Sequence, residues 1–207
     1  MKAIVCKKFA PVSELVWEEV ADPVAGPGEI VVNVKAAGLN YPDNLIVQGL
    51  YQFQPERPFS PGHEGSGVVS SVGADVKMHS VGDSVAFFKG FGAFAEKIVV
   101  SEKMAFPIPK SFPHKIAAGV FMVYGTSYHG LVQRAKINKE DEVLVLGAAG
   151  GVGLAAVDIA KSFGEGLWSQ SLQKKKLRCV RVTEWMMLLY MVKKNLTREG
   201  RKLLQKN

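Results

Sequence analysis

Short apolar runs alternate with turn residues along the first hundred positions. Residues 2–7 read as a short strand, and residues 15–20 as a second with mixed periodicity. After the turn at Pro27-Gly28-Glu29, the β-branched run 30–34 predicts a third strand. Residues 42–47 predict a short helix, with Pro42 placed early, where a missing N–H costs nothing. Residues 65–72, 84–88 and the alternating stretch 92–100 predict further strands, bounded by Gly73, the Val81-Gly82-Asp83 turn and Ser101. Strands this short, punctuated by Gly and Pro, predict a compact β-barrel-like domain. The pattern changes after Pro113. Residues 113–120 and 124–135 have helical spacing, and Glu142-Val143-Leu144-Val145-Leu146 is an apolar run without polar alternation. Such a strand is buried on both faces, as in a parallel sheet. A glycine turn follows, then a helix over 154–163 with Leu154, Val157, Ile159 and Ala160 apolar. The fold class is therefore α/β and β.

Composition adds a second division. The chain has 207 residues, 47% hydrophobic and 22% charged, enough for one sizeable domain or two small ones and too apolar for a disordered polar protein. Its net charge of +7 is unevenly placed: residues 1–164 carry −1 and residues 165–207 carry +8. All 10 prolines and 19 of the 21 glycines precede residue 165. The basic excess therefore belongs to the tail, and no nucleic-acid partner is expected for the rest. Two cysteines, Cys6 and Cys179, supply neither a disulfide framework nor a four-cysteine zinc site, so a reducing, cytoplasmic setting is expected. The longest apolar run, 185–192, is far short of a membrane span, and the first residues match neither a signal nor a transit peptide.

The glycine turn carries the clearest chemistry. It reads Gly147-Ala148-Ala149-Gly150-Gly151-Val152-Gly153 between a predicted strand and a predicted helix. Gly147 can take the tight turn, Gly150 and Gly151 let the backbone approach a pyrophosphate, and Gly153 lets the helix pack close to its strand. The helix N-terminus then offers N–H groups and a partial positive charge to phosphates. No Gly-Lys-Ser/Thr ending is present, which argues against a nucleoside-triphosphate P-loop.

Several stretches in order resemble the medium-chain dehydrogenase/reductase superfamily, and within it the quinone oxidoreductase (zeta-crystallin-like) branch. They are Gly38-Leu39-Asn40-Tyr41-Pro42-Asp43, Pro61-Gly62-His63-Glu64-Gly65-Ser66-Gly67-Val68-Val69, Val81-Gly82-Asp83-Ser84-Val85, Thr126-Ser127-Tyr128-His129-Gly130-Leu131, and the glycine turn itself. The resemblance implies a GroES-like β-barrel domain over 1–118 and the beginning of a Rossmann domain over 119–164, with 165–207 a basic tail foreign to the family. It implies NADPH as cofactor and a small-molecule quinone or enone as substrate, and family members are often homo-oligomers. Carried onto this chain, the cofactor-binding residues are Asn40, Thr126, Gly147, Ala149, Gly150, Gly151, Val152 and Gly153. Asn40 and Tyr41 are the catalytic candidates. Tyr41 either donates a proton to the developing oxyanion or, with Asp43, only caps and packs the short helix. Tyr128 and His129 read as packing residues. Zinc-dependent relatives use a Cys and the His of Gly-His-Glu; here His63 is retained, but Asn40 and Tyr41 stand where that Cys is expected, so no metal site is implied.

The resemblance stops near Gly164. An acid about 20 residues beyond the glycines is expected for the ribose, yet residues 170–176 read QSLQKKK. The strand 143–146 is then left without encoded neighbours at its edges, and this chain is expected to be weakly active or inactive. One account of the tail is a shifted reading frame. Trp and Met have single codons, so Trp185-Met186-Met187 is TGG-ATG-ATG, and the shifted frame forces Asp-Asp. The competing account takes residues 184–194 as an amphipathic segment among basic residues, able to engage a membrane or protein partner. Genomic sequence should show that a one-base shift restores family-like sequence after residue 164; a single uninterrupted frame in its own conserved exon would contradict the frame-shift account.

Overall fold

The computed structural model describes residues 1–139 and 141–163, together with the backbone strands Leu167–Gln170 and Leu189–Val192. The chain divides into two compact units, Met1–Met122 and Val123–Asn207.

The first unit is built on a five-stranded antiparallel sheet. Its strands are β3 (Glu29–Gly38), β4 (Glu64–Val72), β5 (Ser84–Phe88), β6 (Lys97–Ser101) and β7 (Ala105–Pro107), in the spatial order β6-β3-β4-β5-β7. β1 (Lys2–Val5) pairs with β2 (Val16–Glu19), and isolated bridges tie Ala3 to Ala95 and Cys6 to Phe59. Ile30, Val32, Val69, Val85, Phe87, Ile98 and Val100 fill one continuous core with almost no exposed surface. The glycines of β4 are explained by contact. A Cβ on Gly65 would lie 2.5 Å from the Phe87 ring, and one on Gly67 2.0 Å from the Asn33 carbonyl oxygen. Larger residues at either position would push the strands and their core apart.

The alternating stretch 92–100 is a strand only from Lys97 onward. The preceding residues take their hydrogen bonds elsewhere. Ala93 N–H donates to Gly62 O, Phe94 N–H to Pro61 O and Glu96 N–H to Lys2 O. Alternation here reflects packing against a loop and β1 rather than a sheet position. Two short helices complete the unit, α1 (Tyr41–Val47) and α2 (His114–Ala117).

In the second unit, residues 123–134 are continuously helical. A short α-helical piece, α3 (Thr126–Tyr128), lies between wider π-type turns at Phe121–Gly125 and His129–Arg134. β8 (Glu142–Leu146) leads through the glycine turn into α4 (Gly151–Phe163). Val143 and Val145 are buried with Leu131, Ile137, Ala156, Ile159 and Ala160, whereas Leu144 and Leu146 are half-buried. Burial on both faces of this strand is thus only partial among the described residues. On α4, Ala155, Ala156, Ile159 and Ala160 face inward, while Leu154, expected on the apolar face, is 58% exposed.

The edges of β8 are not left open. β9 (Leu167–Gln170) pairs with it in parallel, Val143 opposite Leu167, and β10 (Leu189–Val192) pairs antiparallel, Leu189 opposite Val145. Unpaired strand edges demand hydrogen-bond partners, and later segments of this same chain supply them. The amphipathic segment expected over 184–194 therefore contains a strand at 189–192; its other residues, and the rest of the tail outside β9, lie outside the described residues.

Phe87 tests the sheet core directly. Phe87→Ala should lower the stability of the first unit by about 3–5 kcal/mol in urea unfolding; a loss below about 1 kcal/mol would show that this core is not close-packed.

Candidate functional site

In the first unit, four polar side chains converge at the start of α1 and the start of β4. Asn40 precedes the helix in extended conformation, and Pro42 occupies its first turn. Asp43, three residues after Asn40, turns its carboxylate back: Oδ2 accepts the Asn40 backbone N–H at 2.7 Å. The other oxygen, Oδ1, lies 2.6 Å from His63 Nδ1. An ionised carboxylate only accepts, so the imidazole donates from Nδ1. Asp43 and His63 are 3% and 6% exposed, which makes this a buried pair with one fixed ring orientation.

Glu64 is the next residue and has no exposed surface. Its Oε1 accepts from Asn40 Nδ2 at 2.8 Å and its Oε2 from Met122 N–H at 3.1 Å. A Cβ on Gly38 would sit 2.7 Å from Glu64 Oε1, so glycine there makes room for the carboxylate. The two carboxylates therefore hold Asn40 at both its backbone and its side chain. Tyr51 meets the His63 ring edge-on with centroids 6.5 Å apart, and the Phe88 ring lies 6.4 Å away. Beside them Lys89 donates its N–H to His63 O at 2.7 Å and its ammonium to Val99 O at 2.8 Å. Burial pushes the Lys89 ammonium pKa down.

The donor set does not fit a zinc ion. Asn40 and Tyr41 offer no thiolate, and Cys6 sits in a separate cluster with Ile46, Val47 and Phe59. Its thiol points to Lys8 O at 3.2 Å, and burial pushes its pKa up. Among the described residues no group of three or more His, Cys, Asp or Glu could hold a metal ion.

The second unit presents the glycine turn. Gly147 has φ of +72°, and Gly150 N–H returns to Gly147 O at 3.1 Å. A Cβ on Gly153 would lie 2.3 Å from Gly147 O, so the third glycine is required for α4 to start where it does. The helical ladder begins with Leu154 N–H to Gly150 O at 2.8 Å, which leaves the amides of Gly151, Val152 and Gly153 ahead of it. Ala149, Gly150 and Gly151 are exposed, and a Cβ on Gly150 would meet only Gly147 O, at 3.7 Å. A pyrophosphate fits this open, amide-rich turn.

Of the candidate residues, Asn40 and Tyr41 stand together in the first unit, with Tyr41 half exposed at the head of α1. Gly147, Ala149, Gly150, Gly151, Val152 and Gly153 form the turn of the second unit, where Thr126 is also exposed. Tyr128 and His129 are not packing residues among the described residues. Tyr128 is 48% exposed, and His129 is exposed with Nδ1 2.7 Å from Gln133 Oε1. The sequence reading missed the role of Glu64; nothing in a Gly-His-Glu triplet announces that its Glu is fully buried. It also passed over Ser127, which is fully buried and donates to Val152 O at 2.7 Å. The stretch 170–176, where an acid is expected for the ribose and none is encoded, lies outside the described residues apart from the backbone of Gln170.

Residues 26–110 match the alcohol dehydrogenase GroES-like domain. Quinone oxidoreductase-like protein 2 of Rattus norvegicus is 39% identical over 159 residues, which cover 77% of this chain and 45% of the relative. The synaptic vesicle membrane protein VAT-1 homolog of Homo sapiens is 37% identical over 69% of this chain and 36% of its own length. Among solved structures, the human VAT-1 homolog-like protein superposes with a TM-score of 0.78 at 32% identity, over 82% of this chain and 54% of that one. The Pseudomonas syringae pv. Tomato DC3000 quinone oxidoreductase does so with a TM-score of 0.73 at 32% identity, over 81% and 51%. The chain thus spans half or less of the length of the curated relatives it matches. No helix among the described residues is long and apolar enough to cross a membrane.

The buried carboxylate gives a stability prediction. Glu64→Ala strands the Asn40 amide and the Met122 N–H, and should cost about 2–3 kcal/mol in urea unfolding. Glu64→Gln, which keeps one acceptor, should cost less. Equal losses for the two variants would show that volume, not hydrogen bonding, sets the role of Glu64.

Proposed function

We propose that this chain, which belongs to the medium-chain dehydrogenase/reductase superfamily, seats the pyrophosphate of NADPH on its glycine turn. The reaction it serves is the zinc-independent reduction of a quinone or another conjugated carbonyl. The observation that carries the reading is the exposed turn Ala149-Gly150-Gly151, set at the head of a 13-residue helix whose first amides precede the hydrogen-bond ladder.

When bound, the dihydronicotinamide supplies two electrons and a proton as hydride. The chain's own residues bind and orient. The turn amides and the α4 dipole hold the diphosphate. In the first unit, the Asp43 and Glu64 carboxylates fix Asn40 as a hydrogen-bonding group with one orientation. A quinone that takes up hydride becomes a delocalised oxyanion, and the Tyr41 hydroxyl or water donates the proton that completes the reduction. The aromatic rings of Tyr51 and Phe88 beside His63 suit a flat conjugated substrate. Independence from zinc rests on the donor chemistry around His63, where no thiolate is placed.

NADPH is favoured over NADH only through the likeness of the Ala-Ala-Gly-Gly-Val-Gly turn to the quinone oxidoreductase branch. Turnover by these 207 residues is weak or absent, because the described part of the second unit offers only β8, the turn and α4 toward a nucleotide site, with two four-residue strands beside β8. The other reading, a non-catalytic piece whose basic tail engages a membrane or a protein, is not favoured: it rests on residues 165–207 alone, and quinone oxidoreductases are among the similar proteins.

Calorimetric titration of the full chain with NADPH tests this. Binding should be measurable but weak, with Kd above about 0.1 mM, and Gly150→Val, which fills the open space of the turn, should abolish it. Binding that survives Gly150→Val would place the nucleotide elsewhere, and micromolar affinity would contradict the weak-turnover statement. Metal analysis of the purified chain should find no stoichiometric zinc.

A further inference from the structure

We infer that Ser127 is a positioning residue for the phosphate-binding amides of the glycine turn; the inference rests on the nucleotide reading above. Ser127 has no exposed surface, and its Oγ donates to the carbonyl oxygen of Val152 at 2.7 Å. Val152 lies in the first turn of α4, and its carbonyl shares a peptide plane with the N–H of Gly153. In a trans peptide the C=O and N–H point in opposite directions. A donor that fixes the Val152 carbonyl toward α3 therefore fixes the Gly153 N–H toward the open end of α4, where an anion would sit. A carbonyl has two acceptor lone pairs, so this bond adds to the helical ladder without displacing it.

Two further contacts show that the segment 123–127 grips α4 at separate points. A Cβ on Gly151 would meet Val123 Cγ1 at 3.0 Å, so this helix presses directly on the first residue of α4. Tyr124, three residues before Ser127 on the same helical stretch, donates its hydroxyl to Asp158 Oδ2 at 2.9 Å, about two turns farther along α4. That bond raises the Tyr124 pKa. Tyr124 holds the body of the helix, whereas Ser127 holds its phosphate end. Both bonds run from a hydroxyl on residues 124–127 to α4, one at its phosphate end and one in its body, so Tyr124 serves as the control for a mere docking of the two helices.

The test is titration of the full 207-residue chain with ADP, followed through the backbone amide resonances of residues 147–153. Adenosine, which lacks the diphosphate, is titrated in parallel. Ser127→Ala should weaken ADP about fivefold, the effect of one hydrogen bond, and leave adenosine unchanged. Tyr124→Phe should leave ADP within about twofold on the same scale. Ser127→Cys, close in volume with a weaker donor, should fall between wild type and Ser127→Ala, and serves if the alanine variant does not fold. Amide exchange at Gly151, Val152 and Gly153 should accelerate in the Ser127 variants while that at Ile159 and Ala160 does not. If Tyr124→Phe weakens ADP as much as Ser127→Ala, or if exchange at residues 151–153 is unmoved, the inference fails and Ser127 merely docks two helices. If ADP leaves the wild-type resonances at 147–153 in place, the nucleotide reading itself falls, and this inference with it.

Discussion

Backbones approach one another closely only where no side chain stands between them, and both units are built around that constraint. In the first, Gly67 lets β4 lie against the Asn33 carbonyl oxygen, which a Cβ would approach to 2.0 Å, and Gly65 makes way for the Phe87 ring at the centre of the core. In the second, Gly153 lets α4 start against Gly147, whose carbonyl oxygen a Cβ would approach to 2.3 Å. Each absence of a side chain sets the geometry of a neighbouring functional group. The β4 glycines follow directly on His63 and Glu64, and the α4 glycine places the amides that precede the helical ladder.

A second constraint acts through buried charge. A carboxylate without water needs donors, and Glu64 takes them from Asn40 and from the Met122 backbone, while Asp43 takes them from the Asn40 backbone and His63. The result is a network in which each member fixes another. Asn40, held at both its backbone and its side chain, is also the one the proposed chemistry asks to be rigid. Preorganisation of this kind lowers the cost of ordering a polar contact when a ligand arrives.

Much of this was legible in the sequence, for identifiable reasons. The glycine turn was readable because Gly147, Gly150 and Gly153 fall between a β-branched strand and a helix, and each spacing has a steric meaning. The strands of the first unit were readable from Gly and Pro punctuation and β-branched runs, although alternation over 92–96 misled, since those residues bond to the 61–62 loop and to β1. The convergence of Asn40, Asp43, His63 and Glu64 was only half legible. Asn40 and Asp43 at i and i+3 carry a capping signal, but their meeting with His63 and Glu64, twenty and more residues away, depends on β3 pairing with β4 so that Gly38 lies opposite Glu64. Ser127 was invisible, because a lone serine in a helix carries no sign of the carbonyl it will meet. The covering of β8 by later segments ran against expectation, because the motifs that carry the resemblance end before residue 164, and backbone pairing does not require such motifs.

The central claim is that the open turn ahead of α4 is a diphosphate seat. Phosphorus NMR of NADPH in the presence of the full chain tests it most directly, because the nucleotide reports which of its own groups is held. The account predicts that the two diphosphate resonances shift and broaden in proportion to the chain added, and that the effect vanishes for Gly150→Val. Diphosphate resonances that stay unmoved, or that move equally with the Gly150→Val variant, would contradict it.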